Sequence, residues 1–253
     1  MLVKLLLAFL PGEASSLTES DVAEQLLRGA LAAHGGKEPA STLRFVLMRG
    51  TWSFLYRGQV VRTESFQLHA GPSGRLRAHF SGPKGERLLV TNGEVGWVRR
   101  GSELRSLPRL AIENRLFELN PILGILNRYL MGRLSLPWDP EDDEENDVKR
   151  LRLYLEPSPS RQGSGPGGSP RRLYEVQLDR HSGRVSRLVA FHPADAFFSS
   201  PMETLSYRYG DFRTVGRLLV PFRIEIYNQG TPYALVEVGS FDSSSQPPDV
   251  SVP

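Results

Sequence analysis

The sequence predicts an α+β protein, mainly antiparallel β: a curved, half-open β-barrel of about ten or eleven strands. An N-terminal helix and an inserted helical lid complete the predicted fold. The prediction rests on where the apolar residues fall. They recur at helical spacing over 18–34, alternate with polar residues over most of 43–106 and 148–241, and return to helical spacing over 108–131. The 253 residues are enough for one domain with its own core.

The N-terminal helix is predicted over residues 18–34. Thr18 can cap its first turn, because a side-chain oxygen at that position accepts a hydrogen bond from a free backbone N–H. Gly35-Gly36 ends the helix, since glycine readily adopts the left-handed conformation past a helix C-terminus. The apolar face of the helix repeats through Val22, Leu26 and Ala30.

Period-two alternation predicts the strands. Leu76, Ala78 and Phe80 alternate with polar residues, which is typical of a strand with one buried face. Asn92-Gly93 between two apolar runs predicts a tight hairpin, because both residues tolerate a positive φ. Connections this short join antiparallel neighbours, and a sheet of this size must curve. Later strands are predicted at 148–155, 173–178, 184–191, 205–209, 218–227 and 233–241, with a turn at 210–216.

The inserted segment 108–131 carries an apolar stripe that Asn120-Pro121 interrupts, so two short helices or a kinked helix are expected. Such a stripe must be buried, and the sheet is the available surface. We therefore expect the segment to cover the sheet and to enclose an interior that can hold side chains or one apolar ligand. The alternative for each lining residue is ordinary core packing. The predicted lining residues are Trp52, Phe54, Phe80, Trp97, Phe117, Ile122 and Leu126.

Three polar stretches are predicted to lie outside the core. Residues 139–147 hold seven acidic groups and are expected to form a solvated loop. Residues 157–172 are rich in Gly, Ser and Pro and are expected to form a flexible loop, and 243–253 are expected to form a loose tail. Outside 139–147 there are 31 basic and 21 acidic residues, a balance of +10. A basic body of this kind is compatible with an anionic surface as a partner, or with arginines spread over solvent faces.

The N-terminus predicts export. Lys4 is followed by the apolar stretch 5–10 and by a small-x-small site at Gly12 and Ala14, as in a secretory signal peptide. Residues 1–14 are therefore predicted to be a cleaved leader and 15–253 a single exported domain. The alternative is an ordinary apolar N-terminus or a short first strand.

No chemistry of a known catalytic or metal site is visible in the sequence. It has no cysteine, which excludes disulfides and zinc–cysteine sites, and its five histidines have no metal-ligand spacing. The glycines of 163–168 match a dinucleotide-binding pattern but lack the strand and helix that it needs. No catalytic residue, metal, cofactor or nucleic-acid partner is predicted. An enzyme whose site is assembled only in space remains an alternative.

Three segments together resemble the LolA-like superfamily of periplasmic lipoprotein carriers and their uncharacterised exported relatives. They are 33–36 (Ala-His-Gly-Gly), the hairpin 88–97 with its Asn-Gly turn and Trp97, and 211–224 with its Gly, Pro and Ile. The resemblance implies a curved half-open barrel with helices over an apolar cavity. It also implies lipid or lipoprotein acyl chains as the ligand.

The same resemblance implies an envelope protein partner, peripheral membrane contact and a monomeric state. Two alternatives share the fold or the surface: an envelope sensor or scaffold with a side-chain-filled core, and a binder of anionic surfaces. The sequence departs from the carriers at one position. Where the carriers have a gating arginine before a proline, this chain has Gly71 before Pro72, so that gating mechanism does not carry over.

Overall fold

A computed structural model describes most of the strand-forming parts of the chain and one helix. No helix in the described part is long and apolar enough to cross a membrane. The predicted leader 1–14 lies outside the described residues. The described residues are 19–35, 45–71, 75–92, 95–107, 119, 139–143, 145–155, 171–191, 204–244 and 247–251.

The helix α1 spans Glu19–Ala33, and thirteen strands account for most of the other described residues. The helix matches its predicted range closely, because its apolar stripe and its glycine stop are local signals. Thr18, the predicted cap, lies outside the described residues. The strands are β1 (Phe45–Tyr56), β2 (Gln59–Ala70), β3 (Arg75–Gly82), β4 (Gly85–Asn92), β5 (Gly96–Arg100), β6 (Glu103–Leu107), β7 (Asp139–Asp143), β8 (Val148–Leu155), β9 (Arg171–Asp179), β10 (Val185–Phe191), β11 (Thr204–Val215), β12 (Leu218–Asn228) and β13 (Thr231–Ser244).

All thirteen strands belong to one antiparallel sheet in the order β6-β5-β4-β3-β2-β1-β13-β12-β11-β10-β9-β8-β7. Two meanders, β1–β6 and β7–β13, meet where β1 pairs with β13. The sheet is curved and remains open between its edge strands β6 and β7. The predicted half-open, mainly antiparallel architecture is therefore confirmed, with more strands than expected.

The acidic stretch 139–147 is not a loop throughout, and this prediction was wrong for its first half. Residues 139–143 form the edge strand β7, which places Glu141 opposite Arg150 and Asp142 opposite Lys149. Arg150 also donates a hydrogen bond to the Asp143 carboxylate. The acidic residues are therefore matched to a basic strand.

The prediction of a loose tail over 243–253 was also wrong in part. β13 extends through Ser244, and Pro248 beyond it is buried. The Arg77 guanidinium donates a hydrogen bond of 3.1 Å to the carbonyl oxygen of Asp249. This contact fixes the segment 247–251 against β3.

Two further boundaries differ from the prediction. Arg171 and Arg172, which were assigned to the flexible loop 157–172, begin β9 and pair with β8; residues 157–170 lie outside the described residues. The predicted turn at 210–216 is largely strand. β11 continues through Asp211, whose φ is +48°, without a shift in its register with β12, and it turns only at Gly216.

One face of the sheet, called here the inner face, carries the hydrophobic core. It receives Met48, Phe66 and Ala78 from the first meander and Leu188 and Ile224 from the second. The same core includes the apolar stripe of α1, which is Ala23, Leu27, Ala30 and Leu31. The opposite face is called the outer face.

The C-terminal end of α1 is fixed to the sheet by His34, which is fully buried. The backbone N–H of Val185 donates to Nε2 (2.9 Å), so Nδ1 carries the proton and donates to the carbonyl oxygen of Leu219 (3.0 Å). Burial lowers the pKa of His34 below its ordinary value of 6.5. Gly35 follows at φ +134°, where a Cβ would lie 2.2 Å from the carbonyl oxygen of Arg217. The helix end and the start of β12 can therefore approach this closely only at a glycine.

Candidate ligand-binding site

The candidate site lies on the inner face where β1, β2 and β3 run side by side. The register places Trp52 opposite Glu64 and Phe54 opposite Arg62. It also places Phe66 opposite Phe80. Because cross-strand partners point to the same side of a sheet, all of these side chains share the inner face.

Aromatic rings form one connected group at this site. Trp52 stacks on Phe54, with ring centroids 6.1 Å apart and an interplanar angle of 19°. Phe80 meets the edge of Trp52 at 6.1 Å, and Tyr233 of β13 meets Phe54 at 6.1 Å. Phe80 is buried, whereas Trp52 and Phe54 are only half-buried. The rings thus extend from the packed core toward its margin.

A carboxylate and two guanidinium groups lie among these rings. Glu64 is only 8% exposed and pairs with Arg62 Nε at 3.3 Å and with Arg87 Nη2 at 3.1 Å. The Arg62 guanidinium stacks over Phe54 at 3.8 Å, and that of Arg87 over Phe80 at 4.4 Å. In this Glu64 cluster, defined as Glu64, Arg62 and Arg87, one carboxylate therefore faces two guanidinium groups.

Two N–H donors of the site are buried without a hydrogen-bond acceptor. They are Trp52 Nε1 and Arg62 Nε. Arg62 Nε lies close to Glu64 but outside hydrogen-bonding geometry. Buried polar groups in native proteins are almost always satisfied, so these two donors indicate a position for a polar acceptor atom.

An apolar floor continues from the aromatic group along the first meander. Met48, Phe66, Leu68, Leu76 and Ala78 are each at most 6% exposed. Leu119 is the one described residue of the inserted segment 108–131. It is 4% exposed and belongs to the same core. The site therefore joins a polar margin to an apolar interior.

The structure brings together three of the seven predicted lining residues, Trp52, Phe54 and Phe80. The prediction that Trp97 lines the same space was wrong. Ala78 on the inner face is opposite Leu89, and Leu89 is opposite Val98, so Leu89 and Val98 also point to the inner face. Trp97 is opposite Val90, one residue out of phase with them. Trp97 therefore lies on the outer face. Phe117, Ile122 and Leu126 lie outside the described residues.

Sequence reasoning missed the Glu64 cluster. A signal was present, because Glu64 lies two and four residues before the buried Phe66 and Leu68. In a strand that spacing places a residue on the same, buried face. A charged residue in the buried phase of a strand predicts a buried ion pair.

A separate cleft of about 300 Å³ lies on the outer face, above the register irregularity of β1. Four of its six lining residues have polar side chains, so it is a poor match for an apolar ligand. Among the described residues, no group of His, Asp and Glu is placed to hold a metal ion. Residues lining the cleft are Arg49, Gly50, Ser65, Phe66, Gln67 and His79.

No protein-family model matches the chain, and no curated protein matches it by sequence. Its fold, however, is similar to that of several solved structures. A LolA superfamily protein from Nitrosomonas europaea is 12% identical, with a TM-score of 0.56 over 89% of this chain and 94% of that one.

Two further structures agree. A putative outer membrane lipoprotein-sorting protein domain from Vibrio parahaemolyticus is 9% identical, with a TM-score of 0.52 over 90% and 95% of the two chains. A DUF1329 family protein from Desulfovibrio piger is 11% identical, with a TM-score of 0.50 over 90% and 95%. At this level of identity the likeness shows the fold, which is LolA-like.

Proposed function

We propose that the protein is an exported, non-enzymatic binder of an apolar ligand, namely the acyl chain of a lipid or lipoprotein. The chain would lie on the inner face of β1–β3, with the apolar positions of 108–131 as its expected cover. The observation that carries the proposal is the graded burial of one continuous aromatic group, from the buried Phe80 to the half-buried Trp52 and Phe54. The LolA-like fold of the chain supports it.

Binding of this kind needs no catalytic residue. Each methylene group transferred from water to an apolar site contributes about 0.8 kcal/mol, so a chain of about ten methylenes contributes on the order of 8 kcal/mol before the entropy of binding is subtracted. Release to an envelope partner requires only a partner that binds the chain more tightly. Carriage by a monomer in the periplasm, after removal of residues 1–14, is part of the same proposal.

Native mass spectrometry tests the proposal on protein purified from its own envelope fraction. We expect a co-purifying mass that corresponds to a lipid or an acylated peptide, and N-terminal sequencing is expected to begin at Ser15. Protein that carries no lipid, and that takes up none from added vesicles, would contradict the proposal.

A second candidate function has an observation of its own. The inner-face side chains Met48 and Leu76 are each 2% exposed and Ala78 is 3% exposed, as in a core filled by the protein itself. In that case the protein would be an envelope sensor or scaffold. The same mass spectra distinguish the two functions, because a filled core would neither retain nor acquire a lipid.

A further inference from the structure

We infer that the acyl ligand carries a carboxylate, and that this head group binds at Trp52 and Arg62 while the chain lies on the apolar floor. The inference rests on the proposed function, since it specifies the chemistry of the ligand at the same site.

Two buried N–H groups at the site, Trp52 Nε1 and Arg62 Nε, have no hydrogen-bond acceptor. Trp52 and Arg62 lie on the same face of neighbouring strands, because Trp52 is opposite Glu64 and Arg62 precedes Glu64 by two residues. Both groups can only donate, so the ligand atom that satisfies them must be an acceptor. A carboxylate offers two oxygens with about four acceptor positions.

The guanidinium of Arg62 is permanently charged, and the carboxylate that it faces, Glu64, also pairs with Arg87. A positive charge at a poorly solvated position favours an anion over a neutral hydroxyl or ester. A fatty alcohol would also bring a hydroxyl proton that needs an acceptor. A carboxylate therefore fits both the charge and the donor-only character of the position.

Both donor side chains are preorganised by contact with Phe54. Trp52 stacks on the Phe54 ring, and the Arg62 guanidinium lies 3.8 Å from its centre. Glu64 restrains Arg62 from the other side. Because these side chains are already ordered, little further conformational entropy is lost when the head group binds. The chain can then extend from Phe54 past Phe80 onto the buried apolar floor.

The test compares three ligands of equal chain length by isothermal titration with delipidated protein at pH 8, below their micelle concentrations. They are hexadecanoate, hexadecyl phosphate and hexadecanol. We expect hexadecanoate to bind at least about tenfold more tightly than hexadecanol, the factor that one charge-assisted hydrogen bond supplies. Equal affinity for hexadecanoate and hexadecanol would overturn the inference and leave the proposed function intact. Tighter binding of hexadecyl phosphate than of hexadecanoate would overturn the choice of a carboxylate, and no binding of any ligand would overturn the proposed function itself.

Two variants locate the effect. Trp52→Phe keeps an aromatic ring but removes the N–H, and we expect it to reduce the affinity for hexadecanoate about tenfold more than the affinity for hexadecanol. Trp97→Phe makes the same change on the outer face and is the matched control, with both affinities unchanged. A Trp52→Phe protein that retains the full preference for hexadecanoate would overturn the assignment of Trp52. Arg62→Gln is the second variant, and it is expected to abolish the preference for the acid.

Discussion

Replacement of His34 by alanine is expected to destabilise the protein by about 3 kcal/mol. His34 is fully buried and connects α1 to two strands through its ring nitrogens. In His34→Ala the buried N–H of Val185 loses its acceptor, which costs about 1–3 kcal/mol, and the Leu219 carbonyl loses a donor, which costs about 1 kcal/mol. The lost contacts of the ring add a term of similar size. Because domains are commonly stable by only 5–15 kcal/mol, this loss is a large fraction of the total.

Equilibrium unfolding in urea, followed by circular dichroism, measures this effect. The expected result is a lower midpoint with an unchanged slope, since α1 would still be buried in the native state. His181→Ala is the matched control, because the His181 side chain is 79% exposed and pairs with Asp147 on the surface. We expect that control to change stability by less than about 0.5 kcal/mol. A His34→Ala protein as stable as this control would refute the role assigned to His34.

Three further predictions concern His34, Glu64 and Gly35. Because burial lowers the pKa of His34, the unfolded chain binds a proton at a higher pH than the native protein does. The contribution of His34 to stability should therefore be constant above pH 6.5 and should fall as the pH is lowered below it. Urea unfolding across about pH 5–8 measures this slope, which should be absent from His34→Ala. Glu64→Gln leaves two arginines without their carboxylate and should cost about 3 kcal/mol in thermal or urea unfolding, whereas Glu86→Gln, whose side chain is 73% exposed, should cost less than about 0.5 kcal/mol; equal effects would contradict the importance of the buried pair. Gly35→Ala should destabilise the protein by more than about 2 kcal/mol, because the new Cβ would meet the backbone of Arg217. Gly29→Ala, in open space on α1, should stabilise it by about 0.5–1 kcal/mol. The opposite order of stabilities would contradict the close approach of Gly35 to β12.

The sequence could predict those parts of the fold that have local signals. The helix 18–34 has a cap, an apolar stripe and a glycine stop, and it appears as Glu19–Ala33. Most strands have alternating burial and were placed within a few residues. The edge strand β7 was missed because it has no apolar alternation. Its pairing depends on the basic strand β8, and the contribution of such a partner cannot be read from β7 alone.

The candidate site was predicted only in part, because its composition depends on register. Trp52, Phe54 and Phe80 share a face, as their period suggested. Trp97 could not be assigned a face, since consecutive residues of the neighbouring strand β4, Leu88, Leu89 and Val90, are all buried. When both sides of a strand are buried, its sequence does not alternate between apolar and polar residues, so the side that faces the core cannot be identified from it. The role of His34 depends on contacts with residues more than 150 positions away in the sequence, beyond the reach of any local pattern.

The central claim is that an acyl chain binds on the inner face beside Trp52, and contact quenching of tryptophan fluorescence tests it most directly. The chain has three tryptophans, so Trp97→Phe/Trp138→Phe leaves Trp52 as the only emitter, and Trp52→Phe/Trp138→Phe leaves Trp97 on the outer face. Each protein is titrated with a fatty acid brominated near the middle of its chain. We expect saturable quenching of Trp52 and no saturable quenching of Trp97. Quenching of Trp97 alone, or of neither tryptophan, would contradict it.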